Sequence, residues 1–82
     1  MSGGYFDYNQ YRIDDIIDQI ERAINANKET YDLSAKTIRE FRKAIRILRK
    51  GAVYAQRIDW LISGDDGEET FHERLKKDLE GL

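Results

Sequence analysis

The residues best equipped for chemistry crowd into one short stretch. From Ser63 to Glu69 the chain reads SGDDGEE, with four carboxylates and two glycines in seven residues. Oxygen-rich clusters of this kind suit hard cations such as Mg²⁺ and Ca²⁺. The EF-hand order of alternating acids closed by a bidentate Glu is absent. Asp15 and Asp18 make an acid pair such as an all-α nucleotide pyrophosphatase would use, but the second helix carries no pair to match it. A structural reading serves the stretch better. Gly64 can take the left-handed conformation just past a helix end, Asp66 is placed to cap the next helix with Glu69 as its capping-box partner, and Glu68 suits the first turn. Only Asp65 receives no role from this pattern. No metal site is expected.

Other catalytic sets are also missing. His72 is the single histidine, Cys is absent, and neither GxxxxGK[ST] nor GxGxxG occurs. A lone helical His among charges is far more often an exposed side chain than a member of a triad. The expectation is a non-enzyme without a cofactor.

Binding chemistry has more to work with. Between Lys36 and Arg57 stand eight basic residues against one acid, Glu40. Arg39, Arg42, Arg46 and Arg49 recur at the helical period and form a stripe. The rigid five-donor fork of Arg matches phosphate. The N-terminal arm YFDYNQYR supplies Tyr5, Phe6, Tyr8 and Tyr11, followed by Arg12, while Arg57 lies close to Trp60. Aromatic faces stack on nucleobases for about 1–3 kcal/mol each. The candidate ligand set is therefore Tyr5, Phe6, Tyr8, Tyr11, Arg12, Arg39, Arg42, Arg46, Arg57 and Trp60. Against it stands a plainer account. The arginines form a solvated face or pair with Asp14, Asp15, Asp18 and Glu21, and the aromatics cover the end of the core.

These residues must be held by helices. Ile13, Ile16, Ile17, Ile20 and Ile24 recur in steps of three and four, one face of a helix over 10–27. Asn25, Asn27 and the polar NKET are expected to end it. Ser34 is a good N-cap for a second helix over 34–63. There Ile38, Phe41, Ile45, Leu48, Ala52 and Ala55 make a coiled-coil-like seam beside a parallel stripe of Ala44, Ile47, Gly51, Tyr54, Ile58 and Leu61. Gly51 costs about 1 kcal/mol against Ala in a helix interior, and the alanines beside it point to a close helix crossing. Phe71, Leu75 and Leu79 mark a third helix over 67–80. No segment alternates with the period of a strand. The fold expected is all-α: a long antiparallel helical hairpin, a short third helix and an aromatic arm over residues 1–9, in one domain.

Size and charge bound the rest. Eighty-two residues bury a modest core, and neither disulfide nor Cys/His zinc site can reinforce it. More apolar helix surface is available than the first helix covers, so a dimer or larger homo-oligomer is expected. A net charge of −2 argues against long nucleic acid as a partner. No apolar run reaches the roughly 20 residues of a membrane span, and MSGGYFDY lacks signal-peptide character. A cytoplasmic location is expected.

Two stretches carry a family likeness. SGGYFDYNQYRIDDI (Ser2 to Ile16) and AQRIDWLISGDDGEETFHERL resemble a group of small uncharacterised proteins from tailed phages and prophages. These begin with a similar SGG-x-F-x-Y-x-QY-x-I stretch and carry a similar RIDWL-x-SGDDGE turn. The likeness covers both ends of the chain, and the middle helix agrees only in general character. Position 5 departs, with Tyr5 where His is expected in many members. The resemblance implies a phage accessory product that acts on the host by binding, either blocking a host protein or sequestering a nucleotide signal used in defence. A purely structural module that only self-associates is the alternative.

Overall fold

The computed structural model describes residues 4–82. Three helices follow one another: α1 (Tyr11–Thr30), α2 (Ala35–Ile62) and α3 (Glu68–Glu80). No strand occurs among the described residues. The all-α hairpin with a short third helix is thus the observed architecture. The molecule extends 47 × 25 × 13 Å, its long axis set by the 28 residues of α2.

Local chemistry explains most of the element ends. The Ser34 side chain accepts from the Thr37 amide and caps α2 as its type predicts. At the other end, Gly64 takes φ +88°. Its amide donates to the Leu61 carbonyl, and the Asp65 amide donates to the Trp60 carbonyl. These two bonds make a Schellman motif, which needs a left-handed residue just past the helix and so favours glycine. α2 runs through Gly51 without a break.

Three expectations need correcting. α1 continues to Thr30 rather than stopping at 27, because Asn27 organises the turn beyond the helix instead of ending it. Its carbonyl accepts from the Tyr31 and Asp32 amides, and its side-chain amide both donates to the Leu33 carbonyl and accepts from the Leu33 amide. Asp66 is not an N-cap. That position belongs to Gly67, which makes no side-chain cap bond, so the capping box with Glu69 does not form. Asp66 turns inward to two arginines instead. Gly51, finally, admits no close crossing within the chain: it is exposed, and a Cβ built on it would meet nothing within 4 Å.

Packing is open. α1 and α3 both lie against α2, and no Cα atom of one comes within 8 Å of a Cα atom of the other. A closed three-helix core is therefore not formed, and among the described residues only Ile17 and Ile45 are buried apolar side chains. Ile47 remains 67% exposed and Ile62 53%.

Candidate functional site

The N-terminal arm is the first thing the helices position. It winds through tight turns, with the Asp7 amide bonded to the Gly4 carbonyl and the Asn9 amide to the Phe6 carbonyl, before leading into α1. Asp7 and Tyr8 both adopt positive φ, at 55° and 61°. Such a conformation is uncommon for a bulky residue and persists only when the surroundings hold it.

What holds it is Asp59, whose carboxylate is fully buried at 0% exposure. One oxygen accepts from the Gly4 amide at 3.1 Å and the other from the Phe6 amide at 3.0 Å. The Tyr5 amide donates to Ser63 Oγ at 3.2 Å. Behind the arm, Gln10 is buried and donates through Nε2 to Gln56 Oε1. The N-terminal arm and the end of α2 therefore meet in space, joined by backbone amides from the one and an acid from the other.

A second cluster ties α3 to α2. Arg57 Nε donates to Asp78 at 2.7 Å, and its guanidinium carbon lies 4.5 Å from the Trp60 ring centroid. Asp66, with a side chain only 2% exposed, sits 3.1 Å from Arg74 and 3.6 Å from Arg57 Nη1. The latter distance is an ion pair too long for a hydrogen bond, which leaves Arg57 Nη1 and Asp66 Oδ2 buried without a bonded partner. Arg57 is thus occupied from three sides. The acidic turn is a clasp for arginine, and the described residues contain no group of three potential metal ligands. Adding millimolar Mg²⁺ or Ca²⁺ is expected to leave the melting temperature unchanged; a rise of several degrees would restore a cation site.

The remaining candidates fall on three surfaces. Tyr5 and Phe6, their rings in edge contact at 5.0 Å, line a shallow groove with Asn9, Gln10 and Ala55. Tyr11 and Trp60 line a second groove between α1 and α3, floored by Val53 and Gln56 and reaching Arg49. Tyr8 stacks on Tyr11 with ring centroids 6.3 Å apart. Arg42, Arg46 and Arg49 line a third groove of about 390 Å³, with Glu21 and Asn25 opposite on α1. Arg49 belongs to both the second and the third, and it is paired with Glu21 at 2.8 Å. Arg42 and Arg46 have no carboxylate partner among the described residues. Arg12 and Arg39 are exposed away from all three.

The sequence candidates are therefore only partly brought together. The arm docks at the level of Asp59, while Arg46 lies thirteen residues earlier, roughly 20 Å along α2 at 1.5 Å per residue. Sequence reasoning missed Asp59 and gave Arg49 no place in the ligand set. A signal for Asp59 was present, because it continues the apolar seam after Ala52 and Ala55 at the same three-four spacing. An acid on a core seam asks for a partner.

This chain matches no protein-family model, no curated protein and no solved structure. No helix among the described residues is long and apolar enough to cross a membrane.

Proposed function

We propose that the protein acts by binding, without catalysis, and that its ligand is a small phosphate-bearing molecule of the nucleotide class. The observation that carries this reading is the groove of Arg42, Arg46 and Arg49, in which Arg49 pairs with Glu21 and the other two guanidiniums have no carboxylate partner among the described residues. Unpaired guanidiniums converging from one helix face suit a phosphate, each able to give charge-assisted hydrogen bonds. Through Arg49 the groove runs on to Tyr11 and Trp60, whose faces suit a base. The tailed-phage resemblance fits an accessory product that works in the host cytoplasm and sequesters such a signal.

Thermal shift against mono-, di- and cyclic nucleotides tests the proposal, followed by titration calorimetry. Arg46→Ala is expected to weaken binding about 10-fold or more, the value of one charge-assisted bond, without lowering the melting temperature, because Arg46 is exposed. Tyr11→Ala should weaken it less. Affinity should fall as salt rises, since exposed charges are screened over about 8–10 Å. Silence across the panel, with a host protein recovered by pull-down, would move the function to protein-target blocking. Silence in both would leave self-association alone.

A further inference from the structure

One side of the hairpin is free of charge at its middle. Ile45 is buried where α2 meets α1, and at 3.6 residues per turn Arg42, Arg46 and Arg49 fall to one side of that contact. The groove they share with Glu21 and Asn25 fixes which side of α1 this is. On the opposite side the same periodicity places Ile16 and Ile20 of α1 beside Ala44, Leu48 and Gly51 of α2, none of them ionisable. The N-terminal arm, with Asp7, borders this patch at Ala55. Ile16 is 47% exposed.

We propose that this face is covered by a second copy of the chain, with α2 crossing α2 of that copy at Gly51 about a two-fold axis. Three observations select a second copy rather than another occupant. The accessible surface is 6307 Å², whereas a compact monomer of this mass exposes about 5,100 Å². The excess of roughly 1,200 Å² over the whole open outline leaves room for the ~800 Å² each partner contributes to a standard interface. The radius of gyration, 15.8 Å, likewise exceeds the roughly 12 Å of a compact chain this long. A patch without charge at its centre, moreover, can lie against itself, whereas the basic groove on the other side would set arginine against arginine. Gly51 supplies the third. It costs helix stability inside the protomer and has only open space above it. Across a two-fold axis the missing side chain lets two backbones approach. The proposed crossing thus draws on both apolar rows of α2, with Leu48 from the seam and Ala44 and Gly51 from the stripe. This interface is independent of the anion groove, which stays open on the outer side.

Light scattering and sedimentation on the full chain test the proposal. The wild type is expected to behave as a dimer at 10–100 micromolar, roughly the range where a modest interface is occupied. Gly51→Arg should shift it to monomer, weakening assembly about 100-fold or more, while raising the helicity of α2. Arg46→Glu, on the opposite side, should leave the dimer intact. Because the chain has no native Cys, Gly51→Cys gives an independent reading: mild oxidation should link two copies quantitatively, and Arg46→Cys should not link. A monomeric wild type, a Gly51→Arg variant that assembles like wild type, or preferential linking through Arg46→Cys would each overturn the proposal.

Discussion

Asp59→Ala is expected to lower the unfolding free energy by about 2–4 kcal/mol, more than any other single carboxylate in the chain. Hydrogen bonds to charged groups are worth about 1.5–3 kcal/mol each, and Asp59 accepts two from backbone amides while fully buried. Its loss orphans the Gly4 and Phe6 amides and leaves a cavity beneath the arm. For a domain of this size the melting temperature should fall by roughly 10–25 °C. Asp59→Asn should be little better, since its amide group would present a donor to one of two donors. The chain has a partial escape, because the arm can peel away and rehydrate those amides. The stability measurement is therefore paired with hydrogen exchange: the Phe6 amide should lose its protection in both variants. A loss below 0.5 kcal/mol with Phe6 still protected would show that the carboxylate does not hold the arm.

Asp66 is the second large effect, and there the sign of one comparison decides between two roles. An N-cap Asp tolerates Asn, because the two cap almost equally well. A charge buried against two arginines does not. Removing one member of a buried pair costs about 3–5 kcal/mol. Arg57 keeps Asp78, however, and Arg74 is more than half exposed, so about 2–3 kcal/mol is expected for Asp66→Ala and about 1–2 for Asp66→Asn. Urea denaturation followed by circular dichroism reads both, at one fixed protein concentration, because assembly adds concentration-dependent stability. An Asn variant within 0.5 kcal/mol of wild type would return Asp66 to a capping role.

Both effects concern residues whose partners lie far away in the chain, and this marks the boundary of what the sequence determined. Helix existence was legible throughout. Isoleucines at three-four spacing, Ser34 ahead of an apolar run and Gly64 after one are local statements, and helix periodicity, caps and Schellman turns are made within a few residues. The continuity of α2 through Gly51 was legible for the same reason. The end of α1 was misjudged because polar Asn27 can either stop a helix or build the turn after it, and only the Leu33 backbone chose.

Tertiary structure decided the rest. Asp59 meets Gly4 across 55 positions, and no local pattern states where an arm will fold back. Asp66 stood where a cap stands, yet burial beside Arg57 and Arg74 outweighed one capping bond, because charge interactions strengthen as water is excluded. The sequence showed that four arginines share a stripe. It did not show that Arg49 takes Glu21, or that Arg57 is held by Asp78, Asp66 and the Trp60 ring. Periodicity sets angles around one helix axis. How that axis is turned toward its neighbours depends on contacts distant in sequence, and this rotation places Tyr11 and Trp60 in one groove while sending Tyr5 and Phe6 to another.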